Sequence, residues 1–253
     1  MRFDVITLFP ELFAPFLSAG VTRRAYDAKL VDVRLWNLRD FAEGNYRRVD
    51  DRPFGGGPGM VLMAQPLVNC LDALRAEAGR AVVPVVLFSP VGPRLDHAGV
   101  EYWSASDGAV LVCGRYEGVD QRFIDRHVDV QISLGDFVLS GGELAAMALL
   151  DAVARLQPGV LSDAGSHAAD SFNPALDGLL DCPHYTRPED WAGARVPGEL
   201  TAGHHAQIER WRREQRLQVT ARNRPDLIAA ARAAGRLSTA DEAFLAKPAL
   251  KRL

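Results

Sequence analysis

Two glycine-rich stretches stand out as places where this sequence could do chemistry. ISLGDFVLSGGELAAM (132–147) puts three glycines, Asp136 and an apolar trio in front of a strongly helical run. Glycine turns that open helices often hold phosphates, because backbone N–H groups and the positive helix end converge there. VDDRPFGGGPGM (49–60) is the densest glycine cluster. Ordering it costs much conformational entropy, so such a loop is either simply mobile or lets backbone approach a ligand closely. Asp50, Asp51 and Arg52 at its mouth could grip a base or a phosphate. Neither stretch is followed by GKS or GKT, and no GxGxxG joins a strand to a helix, so neither reads as a nucleotide-binding loop of those types.

The ionisable candidates are Glu117, Asp136, Glu143, Arg155 and Asp170. Each has a plain alternative. Glu143 at a helix start and Arg155 in the last turn both complement the helix dipole, and Asp170 lies in a polar stretch where an acid is usually just solvated. His167, His184, His204 and His205 show no metal spacing, so no metal site is expected. Arg210, Arg213 and Arg216 recur at three-residue steps on one helix side. That stripe could lie along phosphates or be a wet helix face.

The elements that must position these residues are legible from two periods. FDVITLF, VDVRLW, VVPVVLF, AVLVC and VDVQISL are short β-branched runs that read as strands. AQPLVNCLDALRAEAG, GVDQRFIDRHV and GGELAAMALLDAVARLQPG read as helices, the first closed by Gly79 and the last stopped by Pro158 and Gly159. Alternating strands and helices predict a mostly parallel sheet covered on both faces. LFSPVG (87–92), LVCGRYEGVD (111–120) and ISLGDFVLSGGE (132–143) each follow a strand. Ligands of open parallel sheets bind at such carboxyl ends, so together they predict a pocket.

From Leu161 to Asn173 no period holds, and CPHYTRPEDWAGARVPGEL beyond it reads as irregular. The remainder is helical, with Pro225 opening one helix and Ser238 opening another through a Ser-x-x-Asp box. The expected organisation is an α/β domain over 1–160, a flexible linker over 161–173 and a small all-α domain over 174–253.

Charge is also uneven along the chain. Residues 200–253 hold 11 Lys/Arg against 5 Asp/Glu, and the rest holds 18 against 27, within a net charge of −3. A basic tail on an acidic body is frequent in proteins that touch nucleic acid. Cys70, Cys113 and Cys182 are odd in number and far apart, which fits reduced thiols in a cytoplasmic protein. No apolar run is long enough to span a bilayer, and MRFDVITLFPELF reads as a first strand rather than a signal peptide.

LFPE, NLRDF, VDDRPFGGGPGM, LVCGRYEGVDQR, SLGDFVLSGGELAAMALLDAVARLQPGV, DSFNPALDGLLDCPHYTRPEDW and HHAQIERWR occur in this order. Together they closely resemble the bacterial tRNA (guanine-N1-)-methyltransferase family, TrmD type, of the SPOUT class. The resemblance runs from about Arg2 to Arg224. It implies a parallel sheet with a deep trefoil knot, which general topology rules disfavour. It also implies a homodimer with a composite site, S-adenosylmethionine as donor with S-adenosylhomocysteine as product, a magnesium requirement, and tRNA as partner. The implied reaction is methylation of N1 of the guanosine at tRNA position 37, immediately 3′ of the anticodon, which guards the reading frame.

Carried over by motif, the cofactor loops are Ser89, Pro90 and Gly92; Cys113, Gly114, Arg115, Tyr116 and Glu117; and Leu134, Gly135, Asp136, Phe137, Val138, Leu139, Gly141 and Gly142. Asp170 falls on the family's general base, Arg155 on its catalytic arginine and Glu117 on its loop acid. Asp50, Arg52, Gly55, Gly59 and His184 fall on RNA-facing positions, joined by Arg210 and Arg213 from the basic helix. The segment between Phe172 and Gly178 is longer than the family's short form. Two other readings compete: a non-catalytic RNA-binding module, which the presence of both Arg155 and Asp170 disfavours, and a nucleotide-binding oxidoreductase, which the missing GxGxxG disfavours.

Overall fold

In the computed structural model of the chain, residues 1–78, 83–162 and 167–247 are described. The chain divides into two compact units, Met1–Ser162 and Asp163–Leu253. The first runs β1 (Arg2–Thr7), α1 (Phe13–Ser18), α2 (Arg23–Asp27), β2 (Asp32–Asn37), β3 (Asp50–Asp51), β4 (Val61–Leu62), α3 (Ala64–Ala78), β5 (Val85–Phe88), α4 (His97–Ser104), β6 (Gly108–Val112), α5 (Gln121–His127), β7 (Val130–Ile132) and α6 (Glu143–Arg155).

All five apolar runs become strands of one sheet, ordered β2-β1-β6-β5-β7 and parallel throughout. Phe3, Val5, Ala109 and Leu111 point to one face, where α6 supplies Ala146, Leu149, Leu150 and Val153. Ile6, Val110 and Val112 point to the other, against Leu67, Leu71 and Leu74 of α3 and Phe123 of α5. Burial on both faces is why β5 and β6 are apolar throughout instead of alternating. Val86 pairs with Val130 and Leu87 with Val112, so β5, β6 and β7 end side by side.

Three helices among the described residues of the first unit escaped the sequence reading. α1 and α2 have six and five residues, too short for a period to declare itself. α4 did leave a signal: Asp96 accepts from Gly99 N–H at 2.9 Å as N-cap, and Val100 and Trp103 are its buried stripe. Gly79, expected to close α3, lies outside the described residues.

The second unit contains β8 (Asp190–Trp191), β9 (Ala194–Arg195), α7 (Gly198–Thr201), α8 (His205–Asn223), α9 (Pro225–Ala233) and α10 (Thr239–Leu245). Its core is Leu179, Leu217, Ile228 and Ala231, with Leu237, Phe244 and Leu245 packed around them. Ser238 and Asp241 form the expected capping box. The unit is not purely helical, as a small antiparallel ribbon occupies part of the stretch read as irregular. Ala192 and Gly193 both take positive φ, the geometry of a two-residue hairpin turn.

The polar stretch before it is also more regular than its composition predicted. His167–Ala169 and Pro174–Leu176 are 3-10 turns, and the Asn173 amide donates to the His167 carbonyl at 3.0 Å. Asn173 is buried, so 167–173 is a hydrogen-bonded corner rather than a loose tether. Residues 163–166 of the expected linker, and 248–253 of the expected last helix, lie outside the described residues.

Candidate active site

The three loops predicted to meet do meet, and each is held by backbone contacts. After β5, Ser89 N–H donates to Ile132 O at 3.0 Å, and Leu95 N–H to Ser133 O at 2.8 Å. This loop therefore lies along β7. A Cβ on Gly92 would run into the Gln131 carbonyl and the Ile132 amide, so only glycine allows that approach. After β6, Cys113 N–H donates to Ile6 O at 3.0 Å, and Arg115 bridges to Gly141. Gly142 N–H donates to Gly114 O at 2.9 Å, and a Cβ on Gly142 would stand 2.8 Å from Cys113 Cα. The glycine pair before α6 thus serves a close crossing of two chain segments.

Between these loops is a cavity of about 540 Å³, within the range of small-molecule sites. Leu87, Ile132, Leu134, Leu139 and Ala145 give it apolar walls, and Tyr116, Phe137 and Val138 form an exposed apolar rim. Its lining contains one cation, Arg115, and one acid, Glu117, with no lysine. An aromatic base fits such walls, and backbone amides and carbonyls can read its edge. A polyphosphate does not fit, because nothing in the lining resembles a phosphate-binding lysine.

Twelve of the sixteen predicted cofactor residues line the cavity; Gly92, Cys113, Gly135 and Asp136 do not. Gly92 acts by letting its loop lie on β7. Cys113 is buried behind the wall, and burial, joined by the Glu143 carboxylate and opposed by Arg115, pushes its thiol well above the ordinary value. Buried and outside the lining, it packs the wall and is not placed to meet a ligand. Gly135 faces the Phe137 ring. Asp136 is exposed at 3.8 Å from Arg94.

The second glycine loop is tied to the same wall. Glu117 N–H donates to Met60 O at 3.0 Å, and Leu62 N–H to Gly118 O at 2.9 Å. A Cβ on Gly59 would collide with the Glu117 side chain. Asp50 pairs with Leu62 across the β3–β4 ribbon, and Gly55, Gly56 and Gly57 all take positive φ. Phe54 is 99% exposed at the tip of this loop, with exposed Arg52 two residues before it. The structure therefore brings Asp50, Gly59 and Glu117 onto neighbouring segments.

Arg155 is the last residue of α6 and half-buried. Asp170 belongs to the second unit, where its N–H donates to His167 O and its carbonyl accepts from Asn173 N–H, both at 3.2 Å. His184 meets Asp181 at 2.8 Å. Burial works to raise the Asp181 carboxyl, but the Cys182 N–H and His184 outweigh it and hold the group below its ordinary range.

The arginine stripe resolves into unlike members. Arg213 donates to both Asp241 oxygens, at 3.0 and 2.9 Å, and to Asp177 at 2.7 Å. Arg216 is mostly buried beside Asp181. These two arginines hold the helical unit together, which corrects the expectation of a phosphate-facing row. Only Arg210 is well exposed, and its Glu214 partner at 3.1 Å is a surface pair of small energetic weight.

Sequence reasoning missed one polar cluster beside the cavity. Glu143, Arg115 and Thr7 converge beneath it, with Thr7 Oγ1 donating to Glu143 Oε1 at 2.9 Å. Glu143 was visible as an acid after two glycines, but 136 residues separate it from Thr7, and no local pattern announces such a partner. Among the described residues no group of three His, Cys, Asp or Glu side chains could hold a metal ion.

The comparisons with known proteins agree on one family. The family described as "tRNA (Guanine-1)-methyltransferase TrmD" matches residues 1–230. A protein of Paracidovorax citrulli named tRNA (guanine-N(1)-)-methyltransferase is 76% identical over 250 residues, covering 98% of both chains. Relatives of the same name from Polaromonas sp. and Albidiferax ferrireducens are 75% and 71% identical. They cover 97% of this chain, and 96% and 99% of their own lengths.

Proposed function

The chain belongs to the tRNA (guanine-1)-methyltransferase family, TrmD, and from that premise we propose that it methylates N1 of the guanosine at tRNA position 37, 3′ of the anticodon. It is an enzyme of the tRNA guanine-N1 methyltransferase class. The observation that carries the finer reading is the cavity at the ends of β5, β6 and β7, whose walls suit an adenosyl group and whose lining holds no lysine and a single arginine, Arg115, paired with Glu143. Glycines at 141 and 142, where a Cβ has no room, fit a site that needs backbone close to its ligand.

S-adenosylmethionine, when bound, supplies an electrophilic methyl group on a sulfonium. The loop residues Tyr116, Leu134, Phe137 and Leu139 would hold it and exclude water. Guanine N1 carries a proton at neutral pH, so no lone pair is free to attack. In this reading Asp170 accepts that proton as the N–C bond forms, and Arg155 stabilises the charge that moves onto O6. A carboxylate in water is a weak base for such a proton. Removal of water on RNA binding is therefore part of the proposed role of Asp170. The target base must also leave the anticodon-loop stack to reach the cavity. Asp50 and Arg52 on the exposed loop, with His184 and Arg210 in the second unit, are the proposed RNA contacts.

The same reading takes the protein as a cytoplasmic homodimer with a composite site, a knotted chain path and a magnesium requirement. The close crossing of Gly142 and Cys113 suits a tightly threaded path, and three cysteines outside any disulfide suit a reducing compartment. Among the described residues no helix is long and apolar enough to cross a membrane.

Transfer of labelled methyl to a tRNA transcript tests the reading. Guanosine at position 37 should accept methyl and adenosine there should not. Absence of transfer to both would instead favour a non-catalytic RNA-binding module.

A further inference from the structure

Glu143 is 1% exposed, the most buried carboxylate among the described residues. An acid at a helix start is stabilised by the dipole even when it stays in water, so the dipole does not explain its burial. Burying a carboxylate is costly unless it is paired. Its partners come from two other segments: Thr7 at the end of β1 and Arg115 in the loop after β6. Arg115 is 18% exposed and lines the cavity, whereas Glu143 does not. Arg115 also donates from Nη1 to the Ser140 carbonyl at 3.2 Å and stacks its guanidinium 4.5 Å from the Phe9 ring centre. A Cβ on Gly141 would collide with both Arg115 and Glu143, so glycine there is what lets the two charges close. Their contact is an ion pair at 2.9 Å whose N–H is not aligned as a hydrogen bond; attraction between charges dominates it.

We propose that Glu143 is a positioning residue for the cofactor cavity: it fixes Arg115, pins the loop after β6 to the loop after β7, and cancels a positive charge that would otherwise face a cationic ligand. This rests on the reading of the cavity as the S-adenosylmethionine site. The cancellation has a specific consequence. S-adenosylmethionine carries a sulfonium, and S-adenosylhomocysteine carries a neutral thioether in its place. Leaving Arg115 uncompensated penalises the first more than the second, while a purely structural defect weakens both alike.

Isothermal calorimetry of both ligands on the full-length protein, with thermal unfolding alongside, reads this directly. Glu143→Gln keeps the size and the acceptor for Thr7 but removes the charge. It should weaken S-adenosylmethionine roughly tenfold more than S-adenosylhomocysteine, the scale of a charge pair about 12 Å apart at an effective dielectric near 20. Glu143→Asp, which keeps the charge, should recover most of that difference. Arg115→Gln combined with Glu143→Gln should return the ratio of the two affinities to that of the wild type. Equal weakening of both ligands by Glu143→Gln, or none, overturns the proposal. Should Glu143→Gln not fold, Arg115→Gln decides: with Glu143 left uncompensated, the affinity ratio should move toward S-adenosylmethionine relative to the wild type, and an unchanged or opposite ratio overturns the proposal. Wild-type protein that binds neither ligand overturns the cofactor reading itself and this inference with it.

Discussion

Asp170 and Arg155 carry the proposed chemistry, and their roles separate in kinetics. Asp170→Asn should slow single-turnover methylation by about 10²–10⁴-fold, the usual contribution of a general base, with tRNA affinity nearly unchanged. Near-normal single-turnover rates across pH would remove Asp170 from the mechanism. Arg155→Ala should lower the chemical step; a loss confined to tRNA affinity would move Arg155 to binding. Gly142 belongs to this scale too. An added methyl meets the Cys113 backbone at 2.8 Å, where nothing flexible can yield. Gly142→Ala should therefore cost about 1–3 kcal/mol in stability by overpacking. It should also weaken S-adenosylhomocysteine binding, read by urea unfolding and calorimetry together.

Among the elements, α8 shows how a surface pattern misleads. Three-residue spacing placed Arg210, Arg213 and Arg216 on one side, which is correct helix geometry. Spacing says nothing about what faces that side. Asp177 and Asp241, 36 and 28 residues from Arg213, claim its guanidinium. Arg213→Ala should thus destabilise the protein by about 2–3 kcal/mol, below the fully buried range because the pair is partly exposed. Arg210→Ala should leave stability alone and lower the salt slope of tRNA binding by about one. The reverse assignment of these effects would restore the stripe. Hydrogen bonds from Arg213, with the Ser238 N–H and hydroxyl, hold the Asp241 carboxyl at about 2, against an ordinary 3.8. The stabilisation is complete above the unfolded value and is lost as pH falls toward 2. The difference in unfolding free energy between wild type and Asp241→Asn should therefore shrink by on the order of 2 kcal/mol between pH 5 and pH 2.

For the molecule as a whole, the two units carry separable tasks. The first holds the cavity and a complete two-sided core. The second holds Asp170 and, within residues 200–253, 11 Lys/Arg against 5 Asp/Glu. Removing everything after Ser162 should abolish methylation of tRNA while S-adenosylhomocysteine still binds, checked by calorimetry and labelled-methyl transfer. Affinity of the full chain for tRNA should fall steeply with salt. A flat salt response would mean that the basic stretch 200–253 does not meet the phosphate backbone.

The order of strands and long helices, the turn positions and the three loops at the strand ends could be read from residues alone. Each rests on local rules: a side-chain period, a cap, or a glycine where the chain must turn. The VDDRPFGGGPGM and SLGDFVLSGGELAAM motifs also carried the family, because their specificity lies in contiguous residues. Helices of five or six residues were too brief to show a period. The partnerships across the chain were not encoded locally at all. Arg115 meets Glu143, Glu117 meets Gly59, Gly92 lies against the β7 backbone, and Arg213 is claimed by Asp177 and Asp241. An ion pair or a close backbone approach depends on which segments the sheet order and helix packing bring together, and that is a property of the folded chain rather than of any stretch of it.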